Sequence, residues 1–371
     1  MECDRNLSIA DLKRIKKMNL QLYLEDFREK RPEVRSMPLH IQIEMTNTCN
    51  LRCIMCTSVW SENAHGEHHY LDGGILQKLS RYYGYAVLVE PQGNGEPMLH
   101  KDFMSNLKRI KQNSAFVIFT TNGTLLNPER VEKIVGLGTD VIVFSIDGAT
   151  KETYEAIRKG ADFEKVLDNI RLLNLVKKRA GHSDPHDKPE WMINFVVMQQ
   201  NYHEMPKIMD FLHEYGGTYA NFLGLSVHSE DMKKWFKKYE PEDRPIIDKV
   251  NALARRYGIG VFYHPLFYHS ADEESVKTTP TSGWLCYRPW KSVFVAWDGS
   301  VIPCCFWNKN ISNWGDLTCQ SLESIWNGEN AQKTRSTLRE GRYPEECKYC
   351  RDHKNFWHVP DDAEQLFEKC F

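Results

Sequence analysis

At 371 residues, with 41% hydrophobic and 26% charged residues, the chain has the length of two ordinary domains at roughly 150 residues each, and its composition excludes a disordered or collagenous protein. Forty-eight basic against fifty acidic residues leave a net charge of −2, too balanced for the electrostatic footprint of a nucleic-acid or anionic-membrane binder. There are eleven cysteines, an odd count; no export signal opens the chain and no run reaches the roughly 18 apolar residues of a membrane span, so we expect a cytoplasmic protein with reduced thiols.

Residues 1–38 read as a helical lead-in closed by Pro32 and Pro38. Six β-rich runs follow, at 40–47, 86–92, 116–122, 140–146, 191–199 and 219–226, with amphipathic helical stretches at 101–112, 126–137, 150–179 and 203–214. Strand and helix in alternation predict parallel βαβ units with right-handed crossovers. Six such units fall short of the eight of a closed barrel, so the expected fold is α/β, a partial (β/α)6 TIM-like barrel over 39–228. A helical bridge and irregular connector occupy 229–283. From 284 to 371 the composition shifts, with six tryptophans and four cysteines between Trp284 and Trp326, and we place a second, smaller domain there.

Cys49, Cys53 and Cys56 stand in a C-x3-C-x2-C pattern at the end of the first strand. Three thiolates from one loop suit zinc or an iron–sulfur cluster. They are one ligand short of a closed site, and an open position is what a catalytic centre needs. In parallel α/β barrels, chemistry gathers at the C-terminal ends of strands. The pattern in this position resembles the radical S-adenosylmethionine (SAM) superfamily. Gly95-Glu96-Pro97 resembles the family segment that binds the SAM amino group. Thr120-Thr-Asn122-Gly123 is similar to its third strand, and Ser145-Ile-Asp147-Gly148 to the fourth-strand segment that meets the ribose. Arg158 falls where many relatives place an arginine for the SAM carboxylate, which guanidinium geometry suits. The aromatic residue common before the third cysteine is Met55 here.

In the C-terminal region, Asp298-Gly299 predicts a hairpin that brings Cys286 towards Cys304, and Cys347-Lys-Tyr-Cys350 offers two further thiolates, completing a four-thiolate site. A Zn(Cys)4 ribbon is the other occupant such a site suits. The spacing is similar to the SPASM/twitch extension of radical SAM enzymes. That resemblance implies one auxiliary [4Fe–4S] cluster on Cys286, Cys304, Cys347 and Cys350, since position 356 is Phe and only Cys370 follows. Most of the nearby tryptophans are expected to shield that cluster. Cys305 and Cys319 are left over as candidate hydrogen-atom donors, against the plainer role of small buried apolar residues. Glu90 and Asp147 are candidate acid or base groups inside the barrel.

Together the resemblances imply two [4Fe–4S] clusters and SAM, with a flavodoxin or ferredoxin-type protein as electron donor. SAM is cleaved to methionine and a 5′-deoxyadenosyl radical that takes a hydrogen atom from the substrate. The auxiliary cluster then accepts an electron, giving oxidation, or tunes a redox-neutral outcome such as epimerisation. With 48 residues before Cys49, no leader-peptide-binding domain is expected, which favours a small polar molecule such as a sugar or aminocyclitol over a peptide or protein side chain. An iron–sulfur electron-transfer protein without SAM chemistry and a zinc-stabilised interaction module are the readings from other classes.

Overall fold

The computed structural model describes residues 7–56, 59, 68–227, 229–263 and 286–347. Among them run ten strands: β1 (His40–Ile43), β2 (Leu88–Glu90), β3 (Phe116–Thr121), β4 (Val141–Ser145), β5 (Glu190–Val197), β6 (Tyr219–Gly224), β7 (Gly260–Tyr263), β8 (Ser292–Val295), β9 (Ser300–Ile302) and β10 (Gly315–Asp316). All six expected strands form. The fold is mixed α/β built on parallel strands, and the elements beyond expectation include helix Gly73–Ser80 between β1 and β2, and β7, which pairs parallel with β6. The chain folds as two compact units, 1–47 with 68–118 and 280–371, and 48–67 with 119–279.

In the first unit β8, β1, β2 and β3 are parallel neighbours, and β9 and β10 add antiparallel on the outside of β8. Ile41 and Ile43 of β1, Val89 of β2 and Val117 of β3 are fully buried on one face, each contributing about 1.5–3 kcal/mol by leaving water. The alternate residues His40, Gln42 and Glu90 are half-buried on the other face, as a period of two requires. β8, from the C-terminal region, pairs along all of β1 from His40↔Ser292 to Ile43↔Val295, and both strands fall in this first unit. The lead-in forms helix Ile9–Arg28, whose Ser8 hydroxyl accepts the Asp11 N–H at 3.1 Å. Its fully buried Lys16 is satisfied by the carbonyls of Tyr83, at 2.8 Å, and Ala86.

In the second unit β4, β5, β6 and β7 are parallel in that order. Phe144, Trp191, Phe195 and Phe222 fill the core between sheet and helices. The stretch 150–179, expected as one helix, is two, Lys151–Ile157 and Phe163–Arg179. Arg158 leaves helical geometry with ψ at 72°, and Gly160 takes a φ of +91°, a region glycine enters without a Cβ clash.

Candidate active site

The helix break explains the placement of the first cysteine loop. Backbone N–H groups of Arg52 and Ile54 donate to the carbonyls of Lys159 and Ile157, at 2.9 and 3.0 Å. A continuous helix would have consumed those carbonyls internally. The loop is thus strapped to the broken segment, and the Cys56 N–H closes a turn on the Cys53 carbonyl at 3.1 Å. A second anchor is polar: the Asn50 amide donates to Thr124 Oγ1 at 2.8 Å and accepts from Asn122 at 2.9 Å. Leu51, Cys53, Met55, Ile157, Met198, Leu225 and Met232 form the apolar bed beneath, with Cys49 and Cys56 packed against it.

The structure brings Cys49, Cys53, Cys56, Asn122, Asp147 and Arg158 together. Asn122 Nδ2 lies 3.9 Å from Cys49 Sγ, and Arg158 Nη1 lies 3.8 Å from Cys53 Sγ. Arg158 Nη2 is 2.6 Å from Asp147 Oδ2, and both side chains are buried. The other Asp147 oxygen accepts the Val196 N–H at 2.6 Å. Burial pushes the Asp147 carboxyl above its ordinary value, with Arg158 pulling the other way. Burial likewise pushes the Cys53 thiol up to about 12, again opposed by Arg158. A buried sulfur that resists ionisation in the free chain ionises on metal binding, when the metal takes the place of the proton. Three soft donors from one loop, a cation beside one and an amide beside another fit a [4Fe–4S] cluster that keeps one iron open. Ser145 ends β4, two residues before Asp147.

Gly95-Glu96-Pro97 belongs to the first unit. Glu96 is buried, and its carboxylate caps the turn Pro97–Leu99 by accepting the Met98 N–H at 3.3 Å. The same unit holds Glu44, which sequence reasoning did not single out. It is 3% exposed and accepts from Asn94 N at 3.1 Å, Asn94 Nδ2 at 2.8 Å and Trp297 N at 3.3 Å. A Cβ on Gly93 would come within 2.4 Å of Glu44 Cγ, so the glycine preceding Asn94 is required by this close approach. Glu90 pairs with His40 at 2.9 Å. Burial would raise its carboxyl, but His40 and Arg288 outweigh that and hold it below its ordinary value.

In the same unit the hairpin forms as expected: β8 and β9 pair antiparallel, with Gly299 at a φ of +88° in the turn. Cys304 and Cys347 pack on Phe294, Ala296, Ile302 and Trp307. Burial pushes the Cys286 thiol up to about 11, with the neighbouring Cys304 sulfur adding to the rise. Cys304 and Cys347 thus share one apolar setting with Cys286 near Cys304, a donor set that suits a second cluster; Cys350 lies outside the described residues. Among the described tryptophans, Trp307 packs with these cysteines. Trp290 and Trp326 instead donate to the carbonyls of Arg31 and Ser36, and Trp314 to Thr334, so they brace the lead-in and the C-terminal helices rather than shielding the site. Cys305 and Cys319 are both exposed.

Residues 43–212 match the family model of the Radical SAM superfamily, and residues 286–351 that of SPASM, an iron-sulfur cluster-binding domain. The tungsten-containing aldehyde ferredoxin oxidoreductase cofactor-modifying protein of Pyrococcus furiosus is 26% identical over 345 residues, 87% of this chain and 90% of that one. The AdoMet-dependent heme synthase of Methanosarcina barkeri is 26% identical over 334 residues, 84% of this chain and 86% of that one. The crystal structure of Streptococcus suis SuiB bound to S-adenosylmethionine shares the fold, with a TM-score of 0.63 at 17% identity over 85% of this chain and 71% of that one. A radical SAM domain joined to a SPASM domain implies SAM and two [4Fe–4S] clusters as cofactors.

Proposed function

We propose, on the premise that this chain is a radical SAM enzyme with a C-terminal SPASM domain, that it removes a hydrogen atom from a small organic molecule and leaves that carbon oxidised or epimerised. The observation that carries the reading is the strapped loop: Cys49, Cys53 and Cys56 held against the Arg158 break, with donors at two of the three sulfurs. When bound there, a [4Fe–4S] cluster supplies the electron that splits SAM into methionine and the 5′-deoxyadenosyl radical.

The chain's own residues position SAM. We assign its amino group to Gly95, Glu96 and Pro97, its ribose to Ser145 and Asp147, and its carboxylate to Arg158, whose planar fork already holds a carboxylate, that of Asp147. Asn122 orients the first ligand, Cys49, through its amide. We assign one auxiliary cluster, on Cys286, Cys304, Cys347 and Cys350, in a region from 284 onward that follows a catalytic portion at 39–228 and a bridge at 229–283. A flavodoxin or ferredoxin-type protein delivers the electron. We place the enzyme in the cytoplasm, where thiols stay reduced; among the described residues no helix is long and apolar enough to cross a membrane.

A small substrate is supported by the two relatives matched over most of their length, one named as cofactor-modifying and the other as a heme synthase. Sugars and aminocyclitols fall in the same class. The test is anaerobic: reconstituted protein, reductant and SAM are screened against small molecules and peptides for release of 5′-deoxyadenosine. Stimulation by a small polar or cofactor-like molecule, lost in Cys53→Ala, is the expected result. Stimulation by peptides alone would transfer the assignment to a peptide maturase. Iron-loaded protein that never forms 5′-deoxyadenosine would leave an electron-transfer protein.

A further inference from the structure

We propose that Glu44 is a positioning residue for SAM, whose buried carboxylate sets the loop after β2 so that Gly95, Glu96 and Pro97 meet the SAM amino group. The inference rests on the assignment of those three residues under the proposed function and adds the side chain that aims them. Glu44 is the residue after β1, Asn94 lies four residues past the end of β2, and Trp297 two past the end of β8. The three strands run parallel with β1 in the middle, paired Gln42↔Glu90 on one side and Ile43↔Val295 on the other. All three residues therefore leave the sheet at its C-terminal end, the end where parallel α/β folds carry their chemistry.

From the middle strand Glu44 reaches both neighbours. One carboxylate oxygen accepts the Asn94 backbone N–H at 3.1 Å and the Asn94 side-chain amide at 2.8 Å. The other accepts the Trp297 N–H at 3.3 Å, and the backbone N–H of Glu44 itself donates to the Val295 carbonyl at 2.8 Å. Asn94 directly precedes Gly95, so a grip on it at two points fixes where the assigned segment starts. At the far side, the buried Glu96 carboxylate accepts the Met98 N–H at 3.3 Å. The span 94–96 is thus held at both ends, and Glu44 supplies the first hold.

The choice of a carboxylate needs a reason. Glu44 is buried, and Lys309, the cation whose charge acts on it, is itself paired with Asp298 at 2.9 Å. Burying a charge is costly, and stability alone is a poor return for it. What the charge gives is acceptor capacity: an ionised carboxylate accepts at both oxygens and donates at neither. It can meet three N–H groups at once, through the stronger, charge-assisted kind of hydrogen bond. A glutamine of the same length keeps one acceptor oxygen and presents an NH2 in place of the other, which makes Glu44→Gln a graded test and Glu44→Ala a full one.

SAM binding is measured by equilibrium dialysis on iron-loaded protein without reductant, so that no turnover enters. The wild type is compared with Glu44→Gln, Glu44→Ala, Asn94→Ala, the double variant Glu44→Ala/Asn94→Ala and Glu96→Gln, with iron content and thermal unfolding followed for each. Glu44→Ala is expected to keep its iron and bind SAM about tenfold more weakly or worse, and Glu44→Gln to recover most of that loss. The double variant should bind no more weakly than Glu44→Ala, because both changes break one contact. Wild-type affinity in Glu44→Ala, or losses from Glu44 and Asn94 that add in the double variant, overturns the proposal. If Glu44→Ala does not hold iron, Glu44→Gln and Asn94→Ala decide: wild-type affinity in both overturns it, and weakened affinity at full iron content in Asn94→Ala supports it. A lower unfolding temperature with unchanged SAM affinity assigns Glu44 to the fold alone and also overturns it. Weak binding by Glu96→Gln beside wild-type binding by Glu44→Ala removes only the role of Glu44. Wild-type binding by Glu96→Gln removes the loop assignment itself, and this inference with it.

Discussion

Arg158 holds Asp147 at 2.6 Å with one terminal nitrogen and presents the other 3.8 Å from the sulfur of Cys53. A buried ion pair is a poor device for stability alone, because desolvating two charges costs about as much as their attraction returns. Its place beside a cluster ligand gives a better reason for it. Removing one partner leaves the other uncompensated, so Arg158→Met is expected to lower the unfolding free energy by about 3 kcal/mol. Adding Asp147→Asn in the same chain should recover most of that loss. SAM affinity, measured by equilibrium dialysis on iron-loaded protein, should stay weak in both variants. If the double variant binds SAM as the wild type does, the pair is structural and its assigned contacts to SAM fall.

Gly160 offers a test of the strap. Its φ of +91° is strained for any residue with a Cβ, at a cost of about 1–3 kcal/mol, and relief by continuing the helix would withdraw the carbonyls that hold Arg52 and Ile54. Gly160→Val is expected to lose the iron of the first site while keeping that of the second, so total iron falls by half and 5′-deoxyadenosine formation stops. Iron analysis and electron paramagnetic resonance of the reduced protein read both changes. Full iron content in this variant would show that the loop holds its ligands without the strap.

The loop of Cys49, Cys53 and Cys56 was legible in the sequence because three thiols at this spacing form one short contiguous pattern; Asn122, Asp147 and Arg158 were singled out by resemblance, and the structure brings them beside that loop. The break at Arg158 was not legible. Apolar residues at helical spacing run on through 150–179, and the competing carbonyl acceptors belong to tertiary contacts that periodicity does not carry. Nor was β8 legible as the neighbour of β1, since the two strands are separated by most of the chain and four residues, Ser292–Val295, carry no pairing address. Glu44 was missed for a related reason: β1 stops at Ile43, and the backbone N–H of Glu44 turns to the Val295 carbonyl at 2.8 Å, a partner visible only once β8 is in place.

The His40–Glu90 pair predicts a pH dependence. The Glu90 carboxyl is held below its ordinary value of 4.5, so the folded chain keeps the charge more readily than the unfolded one. The pair's contribution is fully present above the unfolded value and is lost as pH falls through the folded one. The difference in unfolding free energy between the wild type and Glu90→Gln should therefore be on the order of 2 kcal/mol near pH 5, for a hydrogen bond to a charged group, and shrink as pH falls towards about 3. Urea denaturation across that range measures it. A difference that grows on acidification would mean that Glu90 is held protonated, contrary to this reading.

The two leftover thiols are expected to behave differently. Cys319 is exposed, and its sulfur lies 3.6 Å from the Asp316 carbonyl within its own turn, a local contact. Cys305 follows Cys304, an assigned ligand of the second cluster, and lies in the field of Arg288 and Glu90. If a thiol returns the hydrogen atom, Cys305 has the company for it. In D2O, Cys319→Ala should turn over as the wild type does. Cys305→Ala should still form 5′-deoxyadenosine but install no deuterium at the abstracted carbon, as mass spectrometry of the product would report. A ketone product without deuterium gain in the wild type would instead assign an oxidation, in which the second electron leaves the substrate rather than a hydrogen atom entering it, and would remove a donor role from both cysteines.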